Sequence, residues 1–259
     1  MTPLQAWLHR GAAPATWGNL GLWQPGDDYP TAARRLALRV LQAADPPPGA
    51  TLLHLGCGAG DELLLSLQVL GAARVIAAEP DARAGAQGRR RLAEAGLADR
   101  VRWLPLPAAT ALRQLRGEGL RVHAVVCVDA AYHLSPRAAW LADAAALLRP
   151  GGRLAFTDLV APSPGPALRA AARLCSIDPA DLGPAEQRLA QLAGLGLIAQ
   201  AVERLDEAVL DGFAAFVRAQ RRHHGWGGPG ALRAHATAAL IGPARRRGLG
   251  YALFAAGAG

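Results

Sequence analysis

Three glycines at alternate positions, in Gly56-Cys57-Gly58-Ala59-Gly60, directly follow the apolar run Thr51-Leu52-Leu53-His54-Leu55. Glycines let a ligand come close to the backbone, and a helix that starts at such a loop turns its free amides to the same place. The chemistry on offer is nucleotide binding, although alternate glycines alone also fit a dinucleotide fingerprint or a plain strand–helix turn. Glu79-Pro80 sharpens the reading. Glu79 closes the next apolar run, Arg74-Val75-Ile76-Ala77-Ala78, 19 positions beyond Gly60. A carboxylate there can accept from both hydroxyls of a ribose, and its plainer role is a surface cap. A third group, Asp129-Ala130-Ala131-Tyr132-His133, follows the apolar run 122–128. His133 is a candidate general base because imidazole titrates near neutrality; its plainer role is to bond the backbone or shape a pocket. Tyr132 offers an aromatic wall or a hydroxyl.

These groups need a scaffold that brings strand ends together. The runs at 51–55, 74–78, 101–104, 122–128 and 153–157 are short and apolar, and helical stretches separate them. That alternation predicts an α/β domain with a parallel sheet and right-handed crossovers, and a crevice at the strands' carboxyl ends. A helix is predicted over 31–44, stopped by Asp45-Pro46-Pro47-Pro48-Gly49. After Asp158 a proline-rich turn leads to helical stretches at 167–175 and 184–195, a strand at 198–205, helix from 206 to 222, a glycine-rich break at 225–230, another helix and a last strand near 251–254.

All 28 basic residues are arginine, which reads as codon bias, and the formal charge is +8 over 259 residues. A basic chain suits an acidic partner, but the arginines are dispersed, and Arg89-Arg90-Arg91 and Arg245-Arg246-Arg247 are short clusters without interleaved aromatics. Dispersed charge of this kind reads as a solvated face rather than a nucleic-acid surface. Cys57, Cys127 and Cys175 are odd in number and far apart, against a disulfide framework or a zinc site and in keeping with a reducing cytoplasm. His223-His224 and His235 lack the further ligands a metal needs, so no metal is expected. Neither a signal peptide nor an apolar run of membrane-spanning length is seen. Nothing in the sequence bears on oligomeric state.

The motifs together resemble those of class I methyltransferases. Leu55-Gly56-Cys57-Gly58-Ala59-Gly60 is similar to their first motif, Glu79 to their ribose-binding acid, and Leu148-Arg149-Pro150-Gly151-Gly152-Arg153-Leu154 to their turn before the fifth strand. The resemblance implies a doubly wound, mostly parallel seven-stranded sheet of order 3-2-1-4-5-7-6 and S-adenosyl-L-methionine as cofactor. Gly56, Cys57, Gly58, Gly60, Glu79, Pro80, Asp129 and Ala130 are the implied cofactor contacts. Asp129 would meet the methionine amine or the substrate, and Tyr132 would turn its ring or hydroxyl to the sulfonium. Asp61 reads equally as a helix N-terminal acid or a ligand contact.

Trp17-Gly18-Asn19-Leu20-Gly21-Leu22-Trp23, followed by Tyr29, is similar to the N-terminal arm of tocopherol, ubiquinone-type and natural-product methyltransferases. That likeness implies residues 1–45 as a lid over a 46–160 cofactor core, with an aromatic staple on the sheet as the other reading. Residues 163–195 and 206–246 are then helical cap insertions on one domain spanning 1–259. Trp23, Tyr29, Asp158 and Trp226 are candidate substrate contacts for a small, partly apolar methyl acceptor. The pattern departs from the family at Trp103-Leu104-Pro105-Leu106-Pro107-Ala108, which lacks the usual acid for the adenine amino group. RNA or protein methylation, a non-catalytic module of the same fold and a nicotinamide dehydrogenase are the competing readings. The absence of an Asn/Asp-Pro-Pro-Tyr/Phe motif counts against RNA.

Overall fold

The apolar runs read from the sequence are strands in the computed structural model, which describes residues 3–10, 16–224 and 229–259. They are β1 (Thr51–Leu55), β2 (Arg74–Ala78), β3 (Val101–Leu104), β4 (Val122–Cys127) and β5 (Leu148–Val160). With β6 (Leu197–Arg204) and β7 (Gly250–Ala258) they form one seven-stranded sheet, ordered β3-β2-β1-β4-β5-β7-β6. β1 to β5 pair in parallel, and β7 is antiparallel to both β5 and β6. This is the order implied by the methyltransferase resemblance.

β5 is longer than the predicted 153–157, because Pro150-Gly151-Gly152 does not end the pairing. The register against β4 shifts between Val122 and Ala124, so the turn sits in the strand as an irregularity. β7 likewise extends past the predicted 251–254 to pair with all of the inner half of β5.

Alternate strand residues face two helical layers, as a sheet buried on both sides requires. On one face Leu52, Val75, Ala77 and Val126 pack with α2 (Tyr29–Ala44) and α3 (Asp61–Gln68). On the other, Leu53, Leu55, Val125 and Phe156 pack with α5 (Ala108–Gly117) and α6 (Arg137–Ala145). α1 (Pro3–Leu8) and α4 (Ala82–Glu94) belong with the first layer, α4 through Leu92.

α2 begins two residues before the predicted Thr31. The Asp28 carboxylate accepts from the Thr31 amide at 2.9 Å, and Pro30 fits the first turn. Its apolar stripe of Ala33, Leu36, Ala37, Val40 and Leu41 is fully buried, and each Leu or Val so buried is worth roughly 1.5–3 kcal/mol.

The region predicted as cap, 163–195, divides between the layers. α7 (Pro166–Leu174) joins the first layer through Leu168 and Ala172, beside α9 (Gly212–His224) and α10 (Pro229–Arg245). α8 (Ala185–Gly194) instead packs on β6 and α6 with Leu192 buried in the second layer, making it an ordinary crossover helix. A π-helical turn, Glu207–Asp211, leads into α9, and α10 packs against α1 and α9.

Candidate functional site

A cavity of about 410 Å³ opens at the carboxyl ends of β1, β2 and β4, lined on its floor by Gly56, Cys57, Gly58 and Ala59. Gly56, Gly58 and Gly60 have φ of +72°, +54° and +81°, a backbone that residues with a Cβ adopt at a cost. At Gly56 there is also no room: a Cβ would lie 2.8 Å from that of Ala130. Gly58 faces open space, so the loop presents bare backbone to the cavity. Gly60 caps the start of α3, whose first turn carries Asp61 and Glu62.

Glu79 stands across from this loop, nearly buried. Its Oε2 accepts from the Gly58 amide at 2.7 Å and its Oε1 from the Asp81 amide at 2.9 Å. The acid thus fixes the loop's shape while both oxygens keep lone pairs for a ligand. Pro80, by contrast, is exposed and outside the lining.

Asp129 lines the opposite wall at the end of β4, in the left-handed region at φ +52°. Oδ1 accepts from the hydroxyls of Tyr132 at 2.8 Å and Tyr251 at 2.7 Å, and Oδ2 from the Leu20 amide at 2.6 Å. Tyr251 Oη also lies 2.8 Å from Thr157 Oγ1, which in turn accepts from the Asp129 amide at 2.7 Å. Burial pushes the Asp129 carboxyl up to about 6, against the pull of the Tyr251 and Tyr132 hydroxyls and the Leu20 amide. It is mostly ionised at neutral pH.

The N-terminal arm closes the site: Gln5, Thr16, Trp17, Gly18 and Asn19 all line the cavity. Thr16 is fastened to the loop wall, donating from Oγ1 to Asp61 and accepting from Arg91 Nη1 at 2.5 Å; Arg91 also pairs with Asp61 at 2.8 Å. Asp61 is therefore both an N-terminal acid of α3 and a fastening for the arm. Glu62, the remaining acid of the lining, has its carboxyl pushed up by burial, with His54 Nδ1 3.6 Å away opposing the shift. The lining holds four carboxylates, Asp61, Glu62, Glu79 and Asp129, against one arginine, Arg233 of α10.

A second depression, of about 440 Å³, lies at the amino-terminal edge of β4 between Arg113, Arg116 and Arg121. It is formed by arginine stems around Gly117, far from the strands' carboxyl ends, and Arg116 is already paired with Asp143.

Against known families, residues 52–152 match the model of a methyltransferase domain. Over those residues the chain is similar to a methyltransferase domain. The match begins in β1 and ends in the Pro150-Gly151-Gly152 turn, and so includes the glycine loop, Glu79 and Asp129. Erythromycin 3''-O-methyltransferase of Saccharopolyspora erythraea is 28% identical over 164 residues, 59% of this chain and 49% of that enzyme. The chain thus spans about half the length of the curated relative it matches. Two solved structures share the fold along nearly the whole chain. The [4+2]-cyclase SpnF has TM-score 0.74 at 20% identity, covering 99% of this chain and 93% of its own. A geranyl diphosphate methyltransferase in complex with SAM has TM-score 0.69 at 20% identity, covering 92% and 93%.

The remaining candidates lie outside the cavity lining or reach it through other residues. Tyr132 reaches the site through its bond to Asp129. His133 is exposed, edge-on to Tyr132 at 4.6 Å, with Nδ1 3.2 Å from the Ser176 carbonyl. A carbonyl only accepts, so Nδ1 is the nitrogen that carries the proton in the neutral ring.

Trp23 and Tyr29 are not brought to the cavity. Trp23 stacks on Phe216 at 4.5 Å and donates from Nε1 to the Leu20 carbonyl at 2.7 Å, while Tyr29 is buried and donates to the Asn19 carbonyl at 2.7 Å. Trp23 and Tyr29 thus staple the arm to Phe216 of α9 rather than to the sheet, while Thr16 to Asn19 line the cavity. Gly212 makes the staple possible, since a Cβ there would meet Trp23 at 2.6 Å.

Asp158 corrects the expectation of a substrate contact. It is wholly buried between Arg188 at 2.8 Å and Arg137 at 3.0 Å, each arginine 1% exposed. Arg137 also donates to the Ala131 carbonyl and Arg188 to that of Asp181, so the trio anchors the turn carrying Tyr132 and His133. Trp226 lies outside the described residues. The His235 ring packs edge-on to Trp7 at 5.1 Å, and no metal-holding group of three or more His, Cys, Asp or Glu occurs among the described residues. No helix there is long and apolar enough to cross a membrane.

Sequence reasoning missed Gln5, Thr16, Glu62, Thr157, Arg233 and Tyr251. Only Glu62, in the first turn after the loop, carried a local signal, as a carboxylate next to Asp61.

Proposed function

We propose that this chain is an S-adenosyl-L-methionine-dependent methyltransferase acting on a small, partly apolar molecule. The observation that carries the reading is the acidic wall over the glycine loop, where Glu79 and Asp129 face the cavity with no cationic partner among the described residues while Asp61 is paired with Arg91. A nicotinamide dinucleotide brings a pyrophosphate, which such a wall repels; a sulfonium with an ammonium group suits it. The cavity's size also fits a nucleoside-sized ligand.

S-adenosyl-L-methionine, when bound, supplies an electrophilic methyl on a sulfonium. Gly56, Cys57 and Gly58 give the backbone surface for it, Glu79 takes the ribose hydroxyls, and Asp129 faces the positive end. Gly60 shapes the loop and Ala130 packs beneath Gly56. The arm from Thr16 to Asn19 serves as the lid that excludes water. Tyr132 holds Asp129 and offers its ring as a wall. His133 is the base where the acceptor must lose a proton, accepting it through Nε2 while Nδ1 faces the Ser176 carbonyl. Oxygen is the favoured acceptor atom, because the curated relative is named as an O-methyltransferase.

The test is a screen of hydroxyl, amine, thiol and carbon acceptors that reports S-adenosylhomocysteine release. Release with any one class, lowered by His133→Ala without loss of cofactor affinity, is expected. A second reading, that the site promotes a reaction without methyl transfer, draws on the fold shared with a [4+2]-cyclase. Cofactor binding with no S-adenosylhomocysteine released in any class would favour that reading.

A further inference from the structure

Among the described residues, the one basic residue of the cavity wall has no partner that explains it. Arg233 comes from α10, and the four acids it shares the lining with are engaged elsewhere. Asp61 is held by Thr16 and Arg91, Glu79 by the Gly58 and Asp81 amides, Asp129 by Leu20, Tyr132 and Tyr251, and Glu62 lies beside His54. Among the described residues no hydrogen bond or ion pair engages the Arg233 guanidinium; its backbone carbonyl accepts from Thr237.

Arg233 is itself exposed. Leu232, next to it on α10, is 67% exposed, and Leu174 at the end of α7 is 80% exposed, the two most exposed large hydrophobics among the described residues. α7 packs against α10, and the charge of Arg233 is felt at Cys175, the residue after Leu174. An exposed cation at the rim of an acidic cavity, on a helix pair that also carries two uncovered leucines, is a surface for a molecule that is anionic at one point and apolar elsewhere.

We propose that Arg233 is a specificity-determining residue, pairing with a carboxylate or phosphate of the methyl acceptor while Leu174 and Leu232 take its apolar part. This rests on the methyltransferase reading above. It narrows the acceptor to an amphipathic anion.

The experiment uses the full chain saturated with S-adenosylhomocysteine and measures binding of octyl phosphate and of octanol by calorimetry. The wild type binds octyl phosphate about tenfold more tightly than octanol, as a charge-assisted pair at a partly exposed site allows. Arg233→Gln, a conservative change on a helix surface, erases that difference, and Arg233→Lys keeps part of it. Equal binding of the two probes by the wild type, or a preference surviving in Arg233→Gln, overturns the proposal. Weaker binding of S-adenosylhomocysteine but unchanged binding of 5'-methylthioadenosine by Arg233→Gln also overturns it, since the cation would then serve the cofactor's own carboxylate. A wild type that does not bind S-adenosylhomocysteine overturns the underlying reading instead; the octyl phosphate and octanol comparison on the unliganded chain keeps the two failures apart.

Discussion

The wall bearing the glycine loop comes from one stretch of chain between Gly56 and Glu79, whereas the facing wall gathers Asp129 with Leu20, Tyr132, Thr157 and Tyr251. The first is held by backbone shape: left-handed glycines, a close approach to Ala130 and one carboxylate tied to an amide. The second is held by side chains that meet only after β4, β5 and β7 are paired and the arm is down. A local wall fails as a unit when one residue is wrong. A distributed wall loosens by steps and ties the N-terminal arm to the site through the Leu20 amide.

The largest effect tests what anchors the facing wall. Asp158→Ala leaves Arg137 and Arg188 as two uncompensated buried cations, and should cost about 3–5 kcal/mol of stability by denaturant unfolding. Affinity for S-adenosylhomocysteine per folded molecule should stay within about twofold; a large loss there with unchanged stability would return Asp158 to the ligand site.

Glu79→Ala breaks the loop wall itself. It removes the acceptor of the Gly58 amide and the ribose contact together, so S-adenosylhomocysteine affinity should fall by roughly thirtyfold or more, about 2 kcal/mol in calorimetry. Unchanged binding would remove the ribose assignment.

The facing wall should instead answer to pH. Asp129 titrates near 6, so affinity for cationic S-adenosyl-L-methionine should be level above that pH and fall by up to about tenfold per pH unit below it, as the carboxylate protonates. Stability at this residue moves the other way. A folded-state value raised above the usual 3.8 favours the folded protein at low pH, and that contribution is lost as pH rises from about 4 to about 6. Asp129→Asn should flatten both profiles, and a binding profile unchanged in that variant would show that another group titrates.

Thr16→Val is the mildest break. It cuts the arm's bonds to Asp61 and Arg91, should cost about 1 kcal/mol or less, and should raise amide exchange over residues 16–20 with only a few-fold loss of cofactor affinity. Unaltered exchange would show that the arm is held by the Trp23–Tyr29–Phe216 staple alone.

The same contrast explains what the chain disclosed before folding. Strands β1 to β4 and the loop were legible because apolar runs and glycines are local signals, and Glu79 because it ends a strand at a telling distance from the loop. Tyr251, Thr157 and Thr16 were not, since a hydroxyl in a strand or arm gains its meaning from a partner up to 122 residues away, as Tyr251 does from Asp129. Asp158 misled for a related reason. It sits at the end of a strand that faces the crevice, and nothing local reveals that Arg137 and Arg188 will enclose it. α8 was grouped with the cap because helical periodicity tells that a face is apolar, not which layer it joins.

An acid-lined glycine-loop cavity should select a cationic nucleoside over a dinucleotide. Parallel calorimetric titrations of the wild-type chain with S-adenosyl-L-methionine and with NADH at pH 7.5 test it most directly. Saturable one-site binding of S-adenosyl-L-methionine and none of NADH is the expected result; saturable NADH binding without S-adenosyl-L-methionine binding would contradict the account.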